Sequence, residues 1–244
     1  RCYSREVIVA LMRLCQEYRI RLISDEIYAL SVWDNEEALD APEFTFVLSM
    51  DLTGIIDPSL VHVMLGMSKA FGANGLRIGC VIDQHNPQLR ESLREISLAS
   101  YPASPSDLIT ATILKDDNFT DEYIHANQAK TSKSYKFITR WLKQHGIPYA
   151  PGSNSRFFLW VNLRTAVTKA GENYDHELLK SLLKKEKLLL SDALGFSREE
   201  LGWFRIVFTH HWTFMEMCFG RLAKEALKTI SAPVSENSTS FTLL

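Results

Sequence analysis

Three short stretches of the 244-residue sequence carry side chains whose types and spacing could do chemistry. The densest is Ser68-Lys69-Ala70-Phe71-Gly72-Ala73-Asn74-Gly75-Leu76-Arg77-Ile78-Gly79. It follows the apolar run 60–65, so Lys69 stands just past what reads as a buried strand. Open α/β sheets place ligands at the carboxyl ends of their strands. A desolvated lysine amine forms Schiff bases with carbonyl compounds. Gly72 and Gly75 let a backbone turn approach a ligand closely. Arg77 offers a planar donor fork to a phosphate or carboxylate. The order is not that of a P-loop, where the lysine follows the glycines. The alternative is a surface Lys and Arg flanking an ordinary turn.

The second stretch is Asp25-Glu26-Ile27-Tyr28, after the short apolar run 20–24. Asp25 is then also at a strand's carboxyl edge. Asp25 and Tyr28 need not share a face if the strand continues, but a bend would aim both at one ligand. A strand that simply ends in polar residues is the alternative. The third stretch is Gly202-Trp203-Phe204-Arg205-Ile206-Val207-Phe208. Arg205 lies inside an apolar strand, where a charge is costly unless paired. An anionic ligand would satisfy it; so would a structural ion pair.

The elements that must position these groups can be read from periodicity. Ser4 caps a helix whose apolar residues are Val7, Leu11, Leu14 and Tyr18, widened by Ile8 and Cys15. Short strands follow over 20–24, 60–65 and 76–82, and residues 40–57 read as irregular. Such a set, fed by a helix, predicts an α/β sheet buried on both faces. Helices are expected over 87–99, 104–115 and 121–145, the last closed by Gly146. A second, smaller α/β unit follows: strands over 157–163, 187–191 and 203–208, helices over 175–185 and 213–230, and a loose tail from 231. The Phe157-Phe158-Leu159-Trp160 run reads as core, because alternate side chains fill opposite sheet faces.

Composition narrows the classes. Hydrophobic residues are 46% and charged residues 23%, enough apolar material for a core. The net charge of −2 argues against a dedicated nucleic-acid binder. Cys2, Cys15, Cys80 and Cys218 form no CxxC pair, and the seven His form no HExxH. His210 and His211 are adjacent and would point to opposite strand faces, so no metal site is expected. No apolar run approaches the ~18 residues of a membrane span, and no signal peptide opens the chain. A cytoplasmic protein without membrane partners is the expectation.

Taken in order, Ser-Asp-Glu-Ile-Tyr, Ser-Lys-x-Phe-Gly-x-x-Gly-x-Arg-x-Gly and Trp-Phe-Arg-Ile resemble the class I/II aminotransferases, over about residues 1–230. Asp25-Glu26-Ile27-Tyr28-Ala29-Leu30-Ser31-Val32-Trp33 and Gly202-Trp203-Phe204-Arg205 are similar to the 1-aminocyclopropane-1-carboxylate (ACC) synthase-like branch in particular. The resemblance implies pyridoxal 5′-phosphate and the aspartate aminotransferase-like fold, type I. Residues 1–125 would be the C-terminal part of the large mixed-sheet domain, 126–230 a small α/β domain. Lys69 would hold the cofactor as a Schiff base and move the α-proton. Asp25 would pair with the pyridinium nitrogen and Tyr28 with the phenolic oxygen. Arg77 and Ser68 would bind the phosphate, and Arg205 the substrate α-carboxylate.

Two departures stand out. The family often has a hydroxyl three residues before the lysine; here that residue is Gly66, which removes a phosphate hydrogen bond. The family's N-terminal phosphate turn, stacking aromatic and Asn are absent, and the chain begins with Arg1, so it looks like a C-terminal fragment. The expected activity is an aminotransferase on a small-molecule α-amino acid, homodimeric at full length. A carbon–sulfur lyase or ACC synthase-type elimination is the alternative, and a non-catalytic remnant the rival from another class.

Overall fold

A computed structural model of the chain describes residues 2–164 and 175–226. The expected tail from 231 and the last residues of the final helix lie outside them. The chain divides into two compact units, Arg1–Lys136 with Pro151–Phe157, and Phe137–Ala150 with Phe158–Leu244.

The first unit opens with α1, Arg5–Glu17, whose first turn is capped by Ser4 Oγ accepting from the Val7 N–H. Arg19 takes φ 52° after its end, and the Ile20 N–H donates back to Cys15 O at 2.8 Å. That reversal delivers the chain into β1, Leu22–Asp25. β2, Val61–Gly66, pairs parallel with β1, and β3, Gly79–Ile82, pairs antiparallel with β2, so the sheet is mixed in the order β1-β2-β3. One face carries Val61 and Val63, packed with Met12 of α1 and with Val47, Met50, Ile56 and Leu60. The irregular segment 40–57 therefore supplies half of the core cover.

The sequence-based expectation of a sheet buried on both faces is corrected here. Ile23 is 59% exposed and Val81 46%. The helix shows the same pattern. Ile8, Met12 and Cys15 face the core, while Val7, Leu11, Leu14 and Tyr18 are exposed. Neighbouring residues on a helix are about 100° apart, so two adjacent apolar stripes exist and spacing alone does not say which meets the strands. α2, Pro87–Ser97, and α3, Ser104–Lys115, follow, then α4, Asp117–Gln144, which starts in the first unit and ends in the second.

In the second unit α4 is closed by Gly146 at φ 61°, with the Ile147 N–H on Leu142 O. β4, Phe158–Asn162, β5, Ser191–Asp192, and β6, Trp203–Val207, form an antiparallel sheet in the order β4-β6-β5. Leu159, Val161, Phe204 and Ile206 are buried with Leu179 and Leu183 of α5, His176–Lys185, and with Met215, Phe219 and Leu222 of α6, Trp212–Ala226. The expected strand over 187–191 shrinks to two residues. Lys187 takes φ 57°, and the Leu188 N–H donates to Leu183 O at 2.8 Å, a Schellman closure of α5. The apolar run after it is therefore loop, and Leu189 is 98% exposed. Among the described residues no helix is long and apolar enough to cross a membrane.

Candidate functional site

The chain bends sharply at the end of β1. The Glu26 N–H still donates to Met64 O at 3.0 Å, but the Ala29 N–H donates to Glu26 O, turning the backbone into a 3-10 helix over Ala29–Ser31. Asp25 is exposed, with Oδ1 accepting from the Ile27 N–H at 3.3 Å. The bend brings Asp25 and Tyr28 onto one cavity of about 380 Å³, which Ser24, Val32 and Arg156 also line.

Glu26, which also lines this cavity, is buried. Its Oε1 accepts from the Val47 N–H and the Ser24 hydroxyl, both at 3.0 Å, while the buried Oε2 has no partner. Burial raises its pKa, against the lowering effect of those two donors. Glu26 thus ties β1 to the segment that covers the core.

Lys69 lies in the turn after β2. The Met67 N–H donates to Ile78 O, the Ala73 N–H to Met67 O and the Gly72 N–H to Lys69 O, each at 3.1 Å. Two side chains of α4 hold the same turn: Tyr123 donates to Phe71 O at 2.9 Å, and Asn127 to Ala70 O at 3.0 Å. Lys69 Nζ is 5.9 Å from the Tyr28 ring centroid and 5.6 Å from that of Phe157. Those two rings are 5.6 Å apart, and Arg156 Cζ is 5.2 Å from the Tyr28 ring. Among the described residues no carboxylate forms an ion pair with Lys69.

Gly66 has a steric cause. A Cβ there would stand 3.0 Å from Ile78 O and 3.3 Å from Gly79 Cα, so β3 leaves no room for a hydroxyl-bearing side chain. Arg77 is exposed, in the left-handed region at φ 55°, and its Nη1 donates to Asn74 O at 3.0 Å. Ser68 is half-buried, and neither it, Lys69 nor Arg77 lines the cavity of Asp25 and Tyr28.

Arg205 belongs to the second unit. Strand alternation resolves its odd setting: Phe204 and Ile206 point into the core, and Arg205 is on the half-open face. Trp160 and Ser191 stand opposite it in register. Its guanidinium carbon is 4.9 Å from the Phe158 ring centroid and 4.4 Å from that of Phe196. Its Nε is buried without a hydrogen-bond partner, and among the described residues no carboxylate pairs with it.

Arg156 was not singled out by sequence reasoning, Phe157 was read as core, and Glu26 was given no role of its own. Arg156 reaches the Tyr28 ring from a left-handed backbone at φ 73°, for which the sequence carries no signal. Glu26 could have been found by alternation, as the inward neighbour of an outward Asp25.

The fold is that of the aspartate aminotransferases. The Thermus thermophilus enzyme (a double mutant) superposes with a TM-score of 0.72 at 18% identity, over 91% of this chain and 52% of that one. The family model for aminotransferase class I and II matches residues 1–217, and this chain belongs to that family, whose members depend on pyridoxal phosphate. A probable aminotransferase of Aspergillus oryzae, aclI, is 34% identical over 211 residues, 85% of this chain and 49% of its own length. 1-Aminocyclopropane-1-carboxylate synthase 7 of Arabidopsis thaliana is 31% identical over 210 residues, 85% of this chain and 45% of its own. The chain spans about half the length of these curated relatives.

Proposed function

We propose that this chain carries the Schiff-base lysine and substrate-binding arginine of a pyridoxal-phosphate-dependent enzyme acting on an α-amino acid, an aminotransferase. The observation that carries this is the convergence of Lys69 and Asp25 on Tyr28. Lys69 Nζ is 5.9 Å from its ring, and Asp25 shares its cavity.

The residues present suit the cofactor. Lys69 offers an amine that no carboxylate among the described residues neutralises by pairing, and Asp25 an exposed carboxylate at a strand's end. When bound, pyridoxal phosphate supplies an electron sink for the carbanion at the substrate α-carbon. Asp25 keeps a proton on the pyridinium nitrogen, and the Tyr28 hydroxyl orients the phenolic oxygen. Lys69 Nζ binds the cofactor and moves the α-proton. Arg77, exposed on its turn, would give its guanidinium to the cofactor phosphate, and the Ser68 hydroxyl would assist. Arg205 takes the substrate carboxylate in place of the acid it lacks.

The similarity to an ACC synthase supports a second reading, in which the same residues serve elimination from the β or γ carbon. We read residues 1–125 as cofactor-domain sequence and 126–230 as the small domain. We read the working protein as a cytoplasmic homodimer. The test is spectroscopic. Pyridoxal phosphate added to the chain should give a visible band that borohydride erases and L-amino acids perturb. A spectrum equal to free cofactor plus lysine would contradict the proposal.

A further inference from the structure

Among the described residues the buried Nε of Arg205 has no hydrogen-bond partner. Its guanidinium carbon is flanked instead by two rings, those of Phe158 and Phe196. Phe158 sits on β4, where the ladder to Val207 fixes its backbone. Phe196 has no strand to hold it. It ends the 3-10 turn Ala193–Phe196, half exposed, with its ring 5.3 Å from Trp160 and at 81° to it.

That turn is closed at its end by the Ser197 N–H on Leu194 O at 3.2 Å and the Arg198 N–H on Ala193 O at 3.3 Å, and its start is pinned by one carboxylate. Asp192 Oδ1 accepts from the Leu194 N–H at 3.1 Å. Asp192 Oδ2 lies 2.7 Å from His176 Nε2, and Lys180 Nζ is 3.9 Å from the same oxygen. An ionised carboxylate only accepts, so Nε2 carries the hydrogen and donates. His176 is itself fixed. It is buried in the first turn of α5 and stacks on Phe204, ring centroids 5.6 Å apart. Phe204 pairs in register with Asp192 and directly precedes Arg205. Burial alone would raise the Asp192 pKa, but the His176 and Leu194 hydrogen bonds and the nearby charges of His176 and Lys180 bring it below the ordinary value.

We propose that His176 and Asp192 are positioning residues for Arg205: their hydrogen bond locks the turn that lays Phe196 over the guanidinium and so aims it at a carboxylate. The second half of this statement rests on the reading of Arg205 as the substrate-carboxylate ligand; the positioning itself does not.

The test follows Arg205 directly in the full 244-residue chain labelled with ¹⁵N-arginine. The Nε–Hε resonance of Arg205, assigned by its loss in Arg205→Lys, should be displaced by the two rings. Phe196→Leu, at an exposed site, should remove much of that displacement. His176→Leu should do the same from a distance, and His176→Gln, which keeps an N–H donor, should restore it. Asp192→Asn gives a second break, because His176 and Leu194 face different oxygens of Asp192 and the amide nitrogen that replaces one of them does not accept. Asp192→Ser keeps a helix-capping oxygen and loses only the histidine contact, for the case that the leucine variant does not fold. An Arg205 resonance unmoved in Asp192→Asn and Asp192→Ser overturns the inference.

Titration with pyruvate separates the two claims. Arg205→Lys should weaken its binding by about tenfold or more, and His176→Leu and Asp192→Asn by up to about tenfold, the worth of one misaligned charge-assisted bond. Pyruvate bound equally well by Arg205→Lys overturns the carboxylate reading alone. Weakening by Arg205→Lys, with the resonance and the affinity both unchanged in the Asp192 variants, overturns the positioning alone.

Discussion

The two units solve the same packing problem differently. Both are small sheets with helices, but the second buries the inward residues of its strands, Val161 at 0% exposure, together with helix residues such as Leu142, also at 0%. The first covers one sheet face and leaves Ile23, Val81 and the Leu11 stripe of α1 in the open. The groups assigned to the cofactor lie in this less covered unit, and the group assigned to the substrate in the more closed one. An apolar period therefore specifies that an element exists and has a sticky face. It does not specify what covers that face.

The contrast can be broken by mutation. Leu142→Ala should cost about 2–5 kcal/mol, the usual range for emptying a fully buried leucine site. Four of the five tryptophans, Trp141, Trp160, Trp203 and Trp212, are in the second unit, so urea unfolding followed by fluorescence reads that loss. Asp192→Asn comes next, at about 1.5–3 kcal/mol near neutral pH, the worth of a hydrogen bond to a charged group.

The pH dependence should differ in sign between the units. Asp192 has a lowered pKa in the folded state. Its contribution is full above the unfolded aspartate pKa and is lost as pH falls through the folded one. Glu26 has a raised pKa. Its stability is highest below the unfolded glutamate pKa and declines as pH rises through the folded one. Glu26→Gln should flatten that decline in the first unit, read from urea midpoints across the acid range. Equal slopes in parent and variant would count against the buried, half-satisfied carboxyl described here. The smallest effect is at Leu11→Ala, within about 0.5 kcal/mol, since the residue is exposed and alanine is a good helix former. A loss matching that of Leu142→Ala would mean that the α1 stripe is covered.

Much of the candidate site was legible because its residues stand at strand ends. Lys69 after one apolar run, Asp25 after another and Arg205 within a third needed only local pattern to notice. The bend that unites Asp25 with Tyr28 could be stated only as a condition, since it depends on the bond between the Ala29 N–H and Glu26 O. Other features depend on contacts distant in sequence or on unusual backbone. Gly66 is explained by the approach of β3, and Arg156 reaches Tyr28 through a left-handed conformation. Buried His176 and half-buried Asp192 meet although α5 and an exposed loop separate them along the chain. The apolar run after Lys187 misled because strand propensity yields when the preceding residue must close a helix.

The central claim is that Lys69 is the cofactor lysine. The most direct measurement is borohydride reduction of the chain with pyridoxal phosphate, followed by digestion and mass spectrometry of the labelled peptide. The account predicts a pyridoxyl group on Lys69, and no specific label in Lys69→Ala. A specific label on any other lysine, or undiminished labelling of Lys69→Ala, would contradict it.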